Sequence, residues 1–341
     1  MPVKKVPLGK NGPLVPAMGL GLMGMSVPSY GAFPGDEERF AILDRALELG
    51  STFWDSSDLY GDSEELIGKW FKRTGKRDQI FLATKWGFTN GFTNVDSSAA
   101  HCKEACAASL KRLGVDTIDL YYLHAANPQT PIEESVRAMA ELKAEGKIRY
   151  LGVSNISSAS LRRACKVAPI SAIQIEYSLF VREIEGPEGT NLLATARELG
   201  VAVVAYSPLG RGVLTATFGS GQPLGEGSDM RPQVMPFFMG ENRAKNERVV
   251  RQLQTWADKK GCSVTQLAIA WLLKQGDDVI PIPGTKKIKY LEENWAALDV
   301  ALTDQEEREI RAFIESSEIA GSGKPAQFAD GYYVDTKEES S

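Results

Sequence analysis

Short apolar runs, each closing on polar residues and each followed by an amphipathic stretch, recur from about residue 18 to about residue 298. The runs are AMGLGLMG, STFWDSS, IFLATKWG, IDLYYLHA, YLGVSN, AIQIEYS, VAVVAYSP and VIPIPGT. They are short and rich in β-branched and aromatic residues, so they predict strands. Between them, segments such as DEERFAILDRALELG, IEESVRAMAELKAEG and GTNLLATARELG carry apolar residues at helical spacing. Each ends in Gly after charged residues, as a helix C-terminus does. Strand alternating with helix implies parallel β-structure. Eight such units match the count and span of a (β/α)8 TIM barrel, an α/β fold. A doubly wound sheet fits less well, because MGLGLMG only resembles the dinucleotide fingerprint of three spaced glycines.

Ahead of the barrel, the Asn-Gly of VKKVPLGKNGPLVP predicts an N-terminal β-hairpin. After strand 7, residues of about 209–245 are rich in Gly and Pro and read as one long loop. Loops of that length are usually functional or mobile. A C-terminal helix, TDQEEREIRAFIES, and a polar-aromatic tail fill about 303–341. Residues 1–341 are read as a single barrel domain.

Composition trims the possibilities. A net charge of −5 argues against a nucleic-acid binder with a basic face. No apolar run approaches the ~18 residues of a membrane span. MPVKKVPLGKNG has no apolar signal core, so a soluble, cytoplasmic protein is expected. Cys102 and Cys106 share a helix face in SSAAHCKEACAASLKRLG. Without a second ligand pair they read as packed thiols, and no metal is expected.

Chemistry in such barrels gathers at the C-terminal ends of the strands. Strand two ends in Asp55, with Tyr60 five residues on; strand three ends in Lys85, and strand four in His124. Each has an ordinary explanation alone: turn residues, a strand-end lysine, a core histidine. Neighbouring strands would nevertheless bring all four to one patch of the rim. A phenol with a solution pKa of about 10 becomes a readier acid beside an ammonium. An acid next to the lysine keeps it charged, and an imidazole near the phenol can orient a carbonyl oxygen. That set suits protonating an oxygen while another group adds to the carbon. No Ser or Cys nucleophile with a base is evident, so the electron source should be a cofactor.

FWDSSDLYG, ATKWG and YYLHA resemble the tetrad motifs of the aldo-keto reductase superfamily, and the likeness runs over nearly the whole chain. Within it the sequence looks closest to microbial and plant aldehyde reductases that resemble perakine reductase and the potassium-channel β-subunits. The resemblance implies a catalytic Asp55, Tyr60, Lys85 and His124, NADPH/NADP+ as cofactor and a small-molecule carbonyl substrate. It implies cofactor contacts from Gly21, Leu22, Met23 and Asp55, and from Ser154, Asn155 and Gln174 to the nicotinamide carboxamide. Tyr206 would stack on the nicotinamide, with Ser207, Pro208, Leu209 and Arg211 near the pyrophosphate.

Gly284 and Thr285 are expected to offer amides at the helix start after strand eight, which suits an anion. Lys286 and Lys287 would hold the 2′-phosphate, with Glu293 and Asn294 at the adenine. Many relatives have an Arg where this chain has Tyr290, so the phosphate would fall to the lysines. Tyr60, Trp86 and His124 would line the substrate pocket. Met23, Met25, Trp54, Phe88, Phe237, Phe238, Tyr332 and Tyr333 would supply an apolar mouth for aromatic or medium-chain aldehydes and ketones. The rival reading is an NADPH-binding redox-sensing regulatory subunit. Monomer and homo-oligomer both remain open.

Overall fold

The computed structural model describes residues 3–223, 227–325 and 331–339. An antiparallel hairpin, β1 (Lys5–Pro7) and β2 (Leu14–Pro16), comes first, as its Asn-Gly turn predicts. The main sheet takes β3 (Leu20–Gly21), β4 (Phe53–Asp55) and β5 (Phe81–Trp86). A small arm, β6 (Phe88–Asn90) with β7 (Asn94–Val95), stands apart from it. The sheet resumes with β8 (Ile118–Leu123), β9 (Ile148–Ser154), β10 (Ile170–Glu176), β11 (Ala202–Tyr206) and β12 (Val279–Pro281). These eight strands are parallel neighbours in chain order. Gly19 N–H donates to Pro281 O at 3.0 Å and Gly21 N–H to Pro283 O at 3.2 Å, so the first strand meets the last and the barrel closes. The seam needs bare backbone: a Cβ on Gly21 would lie 2.8 Å from Ile282 O.

Side chains alternate across the sheet. Phe53, Ala83, Leu120, Tyr122, Ala172, Ala202, Val204 and Ile280 fill the barrel, and Val6, Leu8 and Val15 of the hairpin close its floor. Each large apolar side chain so buried is worth about 1.5–3 kcal/mol. The intervening residues, Trp54, Leu82, Tyr121, Leu123 and Ile173 among them, face the helices.

Those helices are α1 (Asp36–Leu49), α2 (Ser63–Thr74), α3 (Ala99–Leu113), α4 (Ile132–Ala144), α5 (Ser158–Val167) and α6 (Leu192–Leu199). α1 and α6 stop at Gly50 and Gly200, left-handed at φ 83° and 71°, as the Gly-after-charge pattern predicts.

The stretch expected as one loop, 209–245, is partly helical. It holds α7 (Ala216–Gly219) and α8 (Arg231–Val234), and α9 (Gly240–Lys260) starts inside it. Residues 224–226 of that stretch and 326–330 of the tail lie outside the described residues. Asn246, Val249, Val250 and Leu253 bury one face of α9, and this packing carries a polar sequence into a helix. Then come α10 (Val264–Lys274), α11 (Ile288–Trp295) and α12 (Asp304–Ser316), the last opened by a Thr303–Glu306 capping box. Tail residues near 334 run beside the rim: Val334 N–H donates to Asn155 O at 2.9 Å, and Ser157 N–H to Val334 O at 3.0 Å. No described helix is long and apolar enough to cross a membrane.

Candidate active site

Asp55 and Lys85 share the inward parity of Phe53 and Ala83, which puts a carboxylate and an ammonium at the top of the barrel. Lys85 is completely buried. Its Nζ donates to the Asp55 carboxylate and, at 2.6 Å, to Ser56 O. The second Asp55 oxygen accepts from Gln174 Nε2 at 2.7 Å. Tyr60 returns over this pair, with Nζ 4.9 Å from its ring centroid. The His124 ring stands edge-on to Tyr60 at 5.7 Å, and its Nδ1 lies 3.0 Å from Ser57 Oγ. The structure therefore brings all four expected residues together.

Burial dominates the electrostatics. It pushes the Tyr60 phenol above its ordinary range, while the Lys85 charge pulls the other way without winning. Lys85 was expected to lower the phenol outright; desolvation reverses the net sign, and Tyr60 holds its proton at neutral pH. Burial also raises Asp55, opposed by Lys85 and the Gln174 bond. For Lys85, burial works against the charge, but Asp55 and Tyr60 together hold it above the usual lysine range. Burial and the Lys85 charge drive His124 well below its ordinary range, so the imidazole is neutral.

The other expected residues divide. Ser154 Oγ is buried with no hydrogen-bond partner among the described residues, a polar socket at the rim. Asn155 is left-handed, its Oδ1 accepting from Tyr206 OH at 3.0 Å and its Nδ2 donating to His124 O at 3.4 Å. Ser207 and Arg211 are also left-handed, flanking buried Pro208 and half-buried Leu209 in a turn that a ligand would make worthwhile. Arg211 lies 3.7 Å from the buried Glu176 carboxylate and donates to Tyr30 OH at 3.3 Å. Leu22 turns into the helix layer, but its N–H donates to Asp55 O at 2.9 Å; Met23 is half-buried beside it.

Around strand eight the expected geometry shifts. Gly284 and Thr285 do not start the helix; α11 begins at Ile288, and Thr285 Oγ1 takes the Lys287 N–H at 3.1 Å. Lys286 Nζ donates to Tyr30 O at 2.9 Å and to Ala32 O, tying the segment after β3 to the segment after β12. Lys287 is exposed. Glu293 accepts from Ser263 Oγ at 2.6 Å and so braces α10, while Asn294 is buried on α11.

Trp86 is not brought to the pocket. It follows inward-facing Lys85, so it must face out, where it stacks on Tyr121 at 6.4 Å. Trp54 and Met25 are buried in the same helix layer. Phe237 and Phe238 are core, edge-on to Phe180 and Phe218. Phe88 takes the place beside the tetrad, 5.1 Å from His124 and half-buried. Tyr332 is half-buried near Tyr206. Sequence reasoning passed over Ser57 and Glu176, and the one available signal was their position inside the strand-end motifs.

The fold is thus a (β/α)8 barrel with a buried Asp–Lys pair, a phenol and a neutral imidazole gathered at one rim. Residues 17–315 match the Aldo/keto reductase family, and the chain belongs to that family. It is 52% identical over 325 residues to aldo-keto reductase str7 of Strobilurus tenacellus, covering 94% of this chain and 95% of that one. It is 44% identical over 329 residues to aldo-keto reductase yakc [NADP(+)] of Schizosaccharomyces pombe, covering 94% and 95%. Among solved structures, the thermostable aldo-keto reductase Tm1743 in complex with the inhibitor epalrestat is 30% identical, with a TM-score of 0.73 over 91% of this chain and 100% of that one. The glycerol dehydrogenase AKR11B4 of Gluconobacter oxydans is 29% identical, with a TM-score of 0.80 over 94% and 97%.

Proposed function

We propose that this protein reduces aldehydes and ketones to alcohols with NADPH. The observation that carries the reading is the buried Lys85–Asp55 pair beneath the Tyr60 ring, with neutral His124 alongside. When bound, the nicotinamide supplies a hydride to the carbonyl carbon. Tyr60, protonated at neutral pH, gives the oxygen its proton. Lys85 offsets the phenolate charge that develops as the proton leaves, and Asp55 with Gln174 holds Lys85 in place. His124 meets the same oxygen and fixes its direction.

The residues present fit the cofactor. Ser154 Oγ, unpartnered and buried, suits a carboxamide, and Asn155 and Gln174 stand beside it. Tyr206 offers a ring for stacking; Ser207, Pro208, Leu209 and Arg211 would hold the pyrophosphate, together with Gly21, Leu22 and Met23. Gly284, Thr285, Lys286 and Lys287 would receive the 2′-phosphate, and Glu293 with Asn294 the adenine. The NADP(+) in the fission-yeast relative's name supports this choice. Phe88, in place of Trp86, supplies the apolar wall for aromatic or medium-chain substrates. A panel of benzaldehyde-type and aliphatic aldehydes, followed by NADPH oxidation, tests the reading. Turnover with one product alcohol per NADPH supports it; tight NADPH binding without turnover on any aldehyde overturns it and favours a redox-sensing subunit.

A further inference from the structure

Asp58 lies two residues before Tyr60 and has no role in the mechanism above. We propose that Asp58, acting through Ser57, sets which ring nitrogen of His124 carries the proton, and with it whether His124 can donate to the substrate oxygen. The inference rests on the reductase reading and adds a positioning pair to it.

Ser57 Oγ is the hub. It lies 3.0 Å from His124 Nδ1 and 3.2 Å from Asp58 Oδ1, and it accepts from Leu59 N–H at 3.2 Å. A hydroxyl has one proton and two lone pairs, and Leu59 uses one lone pair. Two arrangements satisfy the rest. With Asp58 ionised, Ser57 donates to the carboxylate and accepts Nδ1–H, which leaves Nε2 bare. With Asp58 protonated, the acid donates to Ser57 and Ser57 donates to Nδ1, which leaves the proton on Nε2. The states differ by one proton: as one enters at Nε2, the Nδ1 proton passes to Ser57 and the Ser57 proton to Asp58. The imidazole is neutral in both. Only the Nε2–H form can donate to a carbonyl oxygen from that nitrogen.

The surroundings set the switch near neutrality. Burial, with the Glu64 carboxylate of α2 beside it, pushes Asp58 up to about 7. The Ser57 hydrogen bond opposes this first, then Arg112 of α3 and Lys85 of β5. Arg112 is largely committed to Glu64, its Nε donating at 2.7 Å, while Thr84 donates to the other Glu64 oxygen at 2.5 Å. Tyr121 of β8 faces Asp58 with a buried hydroxyl that has no partner among the described residues. On the other side, Lys85 and the Tyr60 ring face His124.

The chain has two histidines, so long-range 15N–1H NMR of the full-length protein resolves both, with His101→Gln assigning them. We expect His124 to be the Nε2–H tautomer at about pH 5.5 and the Nδ1–H tautomer at about pH 8.5, bracketing neutrality. Asp58→Asn, whose amide donates to Ser57 as the protonated acid would, should hold Nε2–H at both. In kinetics, wild-type kcat/KM for aldehyde should fall about tenfold or more over that rise in pH, as for the loss of one hydrogen bond to developing charge. That fall should be absent in Asp58→Asn. A wild-type His124 with one tautomer throughout overturns the proposal, as does a switch that persists in Asp58→Asn. The wild-type titration decides alone if the variant does not fold. A tautomer switch in a protein that reduces no carbonyl would sink the reductase reading and leave only Asp58's control of the His124 tautomer standing.

Discussion

Replacing Lys85 with Met separates charge from shape. The methionine fills most of the lysine volume, but the Asp55 carboxylate, 2% exposed, keeps only Gln174 of its two side-chain partners. Breaking a buried pair by removing one member costs about 3–5 kcal/mol. The cost should depend on pH. Burial already raises Asp55, and loss of the Lys85 charge raises it further. An acid raised in the folded state contributes stability that is complete below its unfolded pKa of about 3.9 and lost as pH climbs through the folded value. Lys85→Met should therefore be mildly destabilised near pH 5 and lose up to about 1.4 kcal/mol more per pH unit above that, until Asp55 ionises. Asp55→Asn in the same chain removes the stranded charge and should recover about half of the deficit or more. Urea unfolding of wild type, single and double variants at several pH values measures this. Equal destabilisation across pH, or no recovery in the double variant, would refute the idea that the pair is held by mutual charge compensation.

Phe88→Ala should raise KM for aromatic aldehydes about tenfold by removing one apolar wall, with little effect on aliphatic ones; steady-state kinetics decides. Trp86→Phe should leave KM unchanged and cost about 1–3 kcal/mol in urea unfolding, because the indole is core and its N–H has no partner among the described residues to lose. Lys287→Ala should weaken NADPH about tenfold and leave NADH nearly untouched, with the preference shrinking as salt rises; unchanged NADPH dissociation constants would place the 2′-phosphate elsewhere.

The barrel was legible because short apolar runs and helical stretches alternate eight times, and the ends of β4, β5 and β8 advertised four polar side chains. Parity is legible in the sequence too. Once Lys85 faces in, Trp86 must face out, since a strand cannot send neighbours the same way. The helix after strand eight was misplaced because a side chain, Thr285 Oγ1, captures the Lys287 amide, a local competition invisible in a pattern of charges. α9 opens with GENRAKNER, which has no apolar face of its own; tertiary packing buries Asn246 within it and Val249 just after it. The Ser57–His124 bond joins positions 67 apart and depends on the sheet register, which composition and spacing do not carry.

The proposed reaction turns on Tyr60 handing its proton to a carbonyl oxygen. Single-turnover NADPH oxidation by aldehyde, with NADPH dissociation constants measured in parallel, compares wild type with Tyr60→Phe. Unchanged NADPH binding and a rate lower by ~10²–10⁴, the usual worth of a positioned acid, are expected. A Phe variant that reduces aldehydes at near-native rates would contradict it.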